Sequence, residues 1–169
     1  MNMKRMKLRK TAALLAAALI AFSIMALAGC GGEKAPDWSK LDLDVSKAAS
    51  DIAKATKFDA EMVDLDADQI LMSYGGDIRS AEQLGVTAAG GASAEQVIVA
   101  KCSGDAAAAA GEIRAYLSGL AGVYADYAPE EVPKLNGAVI VERGSYVFAV
   151  VTADSDGARA AIDAACGVE

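Results

Sequence analysis

Cysteine and carboxylate are the reactive side chains this 169-residue chain offers, because it contains no histidine. Without imidazole there is no Ser-His-Asp triad, no Cys-His pair and no His-ligated zinc. Asp64-Leu65-Asp66-Ala67-Asp68 alternates carboxylates like the opening of a calcium loop, which needs Gly at its sixth position and Glu at its twelfth. Gln69 and Gly75 stand there instead. The run therefore reads as a strand end followed by a helix N-cap with well-placed acids. Asp126, Glu130 and Glu131 gather around Pro129 and Pro133, and Glu142 follows. Paired carboxylates do glycosidase chemistry when they converge at about 5–10 Å, whereas adjacent glutamates usually diverge. A first-turn pair after Pro129 is the simpler reading.

Gly90-Gly91-Ala92-Ser93 lacks the Lys-Ser/Thr ending of a phosphate loop and reads as an inter-strand connection. Tyr74, Tyr116, Tyr124, Tyr127 and Tyr146 are candidates for a ligand groove, but three share one helix, where core packing is the ordinary role. Cys102 and Cys166 are a candidate disulfide, one at a strand end and the other at the end of the last helix. By the chain-entropy model such a bond would add about 4 kcal/mol or less. The alternative is two free thiols packed as small hydrophobes. A catalytic thiol is disfavoured, since no histidine activates it. No catalytic residue, metal ligand set or cofactor is assigned.

The third cysteine has a different setting. Lys4, Arg5, Lys7, Arg9 and Lys10 precede an apolar run from Thr11 to Ala28, which ends Leu27-Ala28-Gly29-Cys30. A basic start, an apolar stretch and small residues at its end make a secretory signal peptide. With cysteine directly after them, the stretch resembles the lipobox of bacterial lipoproteins. That resemblance implies cleavage between Gly29 and Cys30 and a diacylglycerol thioether on Cys30. A thiol is the nucleophile that takes the lipid, and two acyl chains anchor stably where one binds only marginally. An uncleaved membrane helix is the competing reading, at the short end of the spanning range.

Residues 1–29 are thus read as a lipoprotein signal peptide, 30–43 as the lipidated cysteine and a flexible tether, and 44–169 as a single α+β domain. The mature 140 residues keep 11 basic and 23 acidic side chains, a net charge of −12. That balance disfavours nucleic acid as a partner and suits a domain held off an anionic surface.

The elements that must position these groups follow from periodicity. Asp44 caps a helix with Val45, Ala48, Ala49 and Ile52 on one face. Phe58 to Leu65 is short and ambiguous. Asp66 to Tyr74 reads as a helix packing through Ile70, Leu71 and Tyr74. Gln83 to Ala88 is a weak strand and Gln96 to Lys101 a stronger one. Asp105 opens a helix to about Tyr127, with Ile113, Leu117, Leu120, Tyr124 and Tyr127 on one stripe. Val139–Arg143 and Tyr146–Thr152 form a hairpin on a Gly144-Ser145 type II′ turn, with Val141 facing Phe148 and Val139 facing Val150. A last helix runs from about Ser155 to Cys166. Residues 97–104 and 147–154 echo each other at an offset of 50. The expected architecture is an α+β fold with a four-stranded antiparallel sheet, built as a ββα–ββα duplication with helices packed on one face.

The Asp126-Tyr127-Ala128-Pro129-Glu130-Glu131-Val132-Pro133-Lys134-Leu135 segment is distinctive. So are Ala138 to Thr152, Tyr74-Gly75, and Ala92-Ser93-Ala94-Glu95-Gln96. On these residues the chain resembles the family called domain of unknown function 4358 over roughly residues 44–166. The resemblance implies an α+β domain of a small bacterial lipoprotein or membrane-tethered protein, and no activity.

The expected function is non-catalytic binding or scaffolding at the cell envelope by a lipid-anchored extracytoplasmic domain. Its partners would be the membrane, through the anchor, and an unidentified envelope protein or ligand. The alternatives are a small carboxylate-dependent envelope hydrolase and a solute- or metal-binding lipoprotein.

Overall fold

The computed structural model describes residues 36–168. The signal segment, Gly29 and Cys30 lie outside the described residues. A compact unit begins at Asp37. Its helices are α1 (Val45–Ala55), α2 (Ala67–Tyr74), α3 (Ala106–Tyr127), α4 (Val132–Asn136) and α5 (Ser155–Ala165). Its strands are β1 (Met62–Asp64), β2 (Gln83–Ala89), β3 (Gln96–Lys101), β4 (Val139–Arg143) and β5 (Tyr146–Val151). They form one antiparallel sheet in the order β1-β2-β3-β5-β4.

The sheet has five strands, not the four expected. The fifth comes from the ambiguous segment: Met62, Val63 and Asp64 pair with Ala89, Ala88 and Thr87. Three residues with an exposed valine at their centre carry too little alternation to be recognised.

Helices cover both faces rather than one. Ile98, Ala100, Val147, Ala149 and Val151 meet Ala109, Ala110, Ile113 and Leu117 of α3, with Ile70 and Tyr74 of α2. On the reverse face, Val97, Val99, Tyr146, Phe148 and Val150 meet Val45, Ala49 and Ile52 of α1, with Ala158 and Ile162 of α5. The cause lies in β3 and β5, whose alternate positions are apolar on both sides. Strands of that kind need cover above and below.

The ββα order does occur twice, as β2-β3-α3 and as β4-β5-α5. Residues 97 and 147, matched by the offset of 50, point into opposite cores, so α3 and α5 cover opposite faces rather than the one face expected.

Other details follow the sequence closely. Asp44 accepts from Lys47 N at 2.9 Å, and Asp66 with Gln69 makes a complete capping box. The hairpin register places Val139 opposite Val150 and Val141 opposite Phe148. Gly144 has φ +58 while Ser145 does not have positive φ, as a type II′ turn requires. Leu71 departs from expectation: it is 69% exposed, while Ile70 and Tyr74 make the packing face. Ala106, Ala109 and Ala110 are buried as well, and their small side chains let the start of α3 lie close on the sheet.

The segment from Asp37 to Leu43, assigned to the tether on composition, packs on the domain. Asp37 caps a 3-10 turn at Trp38–Lys40. Leu41 and Leu43 join the second core, and Leu43 N donates to Tyr146 Oη at 2.8 Å. The Arg143 guanidinium lies 5.1 Å from the Trp38 ring centre. At Gly144 a side chain would also strike the Trp38 carbonyl, 2.5 Å from where its Cβ would stand.

At Gly85 the start of α1 lies directly on β2. A Cβ there would come within 2.1 Å of the Val45 carbonyl oxygen. Gly85→Ala is therefore expected to cost about 1–3 kcal/mol or more by overpacking. Gly90→Ala, where a Cβ meets nothing within 4 Å, should stay within about 0.5 kcal/mol. Urea unfolding of the two variants checks the contrast.

Candidate functional site

The most concentrated polar chemistry lies at the end of the sheet opposite the Gly144 turn. Three connections meet there: residues 57–60 after α1, 90–95 between β2 and β3, and 128–134 between α3 and α4. The Pro129 ring starts a 3-10 turn at Pro129–Glu131 that runs into α4. Glu131 and Lys134 then lie one helical turn apart and face inward. The Lys134 ammonium stands 2.9 Å from Asp59, 3.0 Å from Glu131 and 3.2 Å from Glu95. The side chain of Glu95 is fully buried. It accepts from Asp59 N at 3.1 and 3.0 Å and from Ala60 N at 3.0 Å. Glu131 accepts from Ala94 N at 2.9 Å and from the Ser93 hydroxyl at 3.3 Å. Tyr124 donates to Ser93 O at 2.7 Å, and Tyr74 donates to Gln96 Oε1 at 3.1 Å.

Electrostatics holds Glu131 and Lys134 in their charged forms. Burial alone would raise the Glu131 carboxyl, but Ala94 N–H, the Lys134 ammonium and the Ser93 hydroxyl outweigh it and hold the group below its ordinary value. Burial alone would lower Lys134, but Asp59, Glu131 and Glu95 outweigh it and hold the ammonium above the usual lysine value. Proton-transfer groups are tuned toward the operating pH, and these two are pushed away from it. The cluster stitches three loops together. Glu95, Asp59 and Lys134 were not singled out as a set from sequence. Only the Glu131–Lys134 spacing of three carries a local signal.

The other acidic candidates are dispersed. Asp126 and Glu130 are exposed. Glu142 lies on β4, where its carboxylate is 3.9 Å from Arg114. Asp64 accepts from Ser50 Oγ at 2.9 Å and from Thr87 Oγ1 at 2.7 Å, tying α1 and β2 to β1. Among the described residues no group of three or more Cys, Asp or Glu is placed to hold a metal ion. No described helix is long and apolar enough to cross a membrane.

The tyrosines pack mainly inside. Tyr74 and Tyr116 rings lie 5.1 Å apart, and burial raises both hydroxyls above their ordinary value. Tyr127, expected on the buried stripe, is 55% exposed and rests on Tyr124.

Cys102 and Cys166 are free thiols on opposite sides of the sheet, one in the α3 core and the other beside the α1–α5 core. The bond weighed from sequence is not formed in this arrangement. Burial is the main cause that raises both thiols above their ordinary value. Neither has the depressed pKa of a reactive cysteine.

Two clefts of about 400 Å³ flank the sheet. One is apolar, formed by Ile70, Leu71, Ile78, Ala81 and Leu84 beside β2. The other lies at the β4 edge, where Arg114, Ser118, Asn136 and Arg159 surround Leu117, Leu135, Ala138 and Ile140.

The sequence model of the family described as Domain of unknown function (DUF4358) matches residues 54–152. The match runs from the end of α1 past β5 and takes in Asp59, Glu95, Glu131 and Lys134. No curated protein and no solved structure matches the chain significantly.

Removing the shared cation should be costly. Lys134→Met leaves Glu95 and Glu131 buried without it, and the expected loss is about 3–5 kcal/mol at neutral pH. The folded pKa of Glu131 lies below its ordinary 4.5. Its contribution is complete above that value and is lost as pH falls through the folded one. The gap between Lys134→Met and the parent chain should therefore narrow below about pH 4 in urea titrations. For the cysteines, a Cys30→Ala chain unfolded without reductant should show both remaining thiols to Ellman's reagent. Silence from both would mean that they had paired.

Proposed function

The chain belongs to the DUF4358 family, whose description assigns no activity, and from that premise we propose a non-catalytic binding or scaffolding domain held at the cell envelope by a lipid on Cys30. One observation carries the reading: Leu27-Ala28-Gly29-Cys30 closes a basic-then-apolar leader, and only six residues separate Cys30 from Asp37, where the compact unit begins. A connection that short reaches about 25 Å at full extension. Such a tether keeps the domain next to the bilayer and raises its effective concentration for neighbours in the same membrane.

Trp38 packs against the Gly144 turn, so the described chain begins at that end of the sheet. The loops stitched by Lys134 lie at the other end. The carboxylate-hydrolase alternative loses support from Glu131, whose carboxyl is held below its ordinary value rather than raised as a general acid requires.

Membrane fractionation with intact-mass analysis tests the anchor. The parent chain should be membrane-bound, cleaved before Cys30 and heavier by a diacylglycerol. Cys30→Ala should lose both the cleavage and the added mass. A Cys30→Ala chain still processed as a lipoprotein would overturn the reading.

A further inference from the structure

The β4 edge combines three features that fit one kind of occupant. β4 is the last strand of the sheet, with no described strand on its outer side. The two-residue Gly144-Ser145 turn makes Arg143 and Tyr146 a hydrogen-bonded pair. By alternation Val141 and Val139 bond to β5, and the backbone of Ile140 and Glu142 points outward. Among the described residues, only the Glu142 carbonyl is occupied there, by Arg143 Nη1 at 3.2 Å. Secondly, the cleft of about 400 Å³ beside this edge has an apolar floor of Leu117, Leu135, Ala138 and Ile140. Thirdly, that cleft takes one arginine from each helical layer, Arg114 from α3 and Arg159 from α5. Arg159 is exposed, and Arg114 is more than half exposed, with Glu142 at 3.9 Å as a loose partner. Elsewhere in this acidic chain, Lys101, Lys134 and Arg143 are closely paired with carboxylates.

We propose that β4 is a docking edge that takes an extended, acidic segment of a partner protein as a sixth strand. Backbone pairing at Ile140 and Glu142 supplies the attachment, and carboxylates of the added strand meet Arg114 and Arg159 at the cleft. Main-chain bonds give affinity in this mode, while pockets for alternate side chains give specificity. A second copy of this chain fits less well, because it would bring another Arg114 and Arg159 to the same seam. The inference rests on the binding role proposed above and specifies the partner's chemistry.

The test is hydrogen exchange on the full chain in detergent, with two acetylated nonapeptides as probes, one alternating valine with glutamate and the other valine with lysine. The glutamate peptide should slow exchange at Ile140 and Glu142 by about tenfold, and the lysine peptide should not. Arg114→Glu with Arg159→Glu should reverse that preference, with exchange elsewhere unchanged to show an intact fold. Equal effects of the two peptides, or no slowing in residues 139–143, would overturn the proposal. So would slowing that depends on the concentration of the chain alone, which would assign the edge to a second copy. The intact mass of the same sample reports the lipid on Cys30, so the anchor and the docking edge succeed or fail separately.

Discussion

Everything in this domain depends on two strands that are apolar on both sides. β3 and β5 lie side by side at the centre of the sheet, and every residue from Tyr146 to Val151 is buried. Leaving either face open would expose a valine-rich surface, at about 1.5–3 kcal/mol per large side chain. The chain therefore sends α3 to one face and α5 to the other. It spends α1, from before the sheet, on the face where α5 alone would not suffice. The order β1-β2-β3-β5-β4 follows, with the doubly apolar strands inside and the shorter or more polar ones at the rims.

The Lys134 cluster solves a second problem created by the first. A three-layer domain brings several connections to one end of the sheet, and their backbone N–H groups must find acceptors. Glu95 takes the N–H groups of Asp59 and Ala60, and Glu131 takes that of Ala94. Two buried carboxylates then require a cation, and Lys134 supplies it. A buried ion pair of this kind is weak support for stability in itself. Here the carboxylates do what an apolar residue could not, by accepting from loop backbone that crosses between layers.

The sequence revealed local structure better than assembly. The hairpin register could be read because two residues of turn chemistry fix it, and the N-caps at Asp44 and Asp66 because their bonds span three residues. The two-sided sheet was also visible in principle, since Val97–Ala100 and Tyr146–Val151 are unbroken apolar runs rather than alternating ones. Expecting one helical face treated them as half-buried. β1 escaped notice because three residues with exposed Val63 give no period. In the polar cluster, Glu131 and Lys134 are neighbours on one turn, but Glu95 and Asp59 are brought in from 36 to 75 positions away. No local pattern announces a contact at that separation.

The seating of Trp38 on the Gly144 turn has an optical consequence. Trp38 is the only tryptophan in the chain, so indole emission comes from a single place, where the first described residues meet the hairpin. The ring there faces the Arg143 guanidinium at 5.1 Å, and the next apolar residues along the chain, Leu41 and Leu43, pack on the second core. Its colour and quenching report whether the first residues of the domain are seated or peeled away, with no label attached. Tension on a membrane tether would arrive at this junction before any other part of the fold. The protein thus carries a built-in fluorophore at the point where such a load would enter.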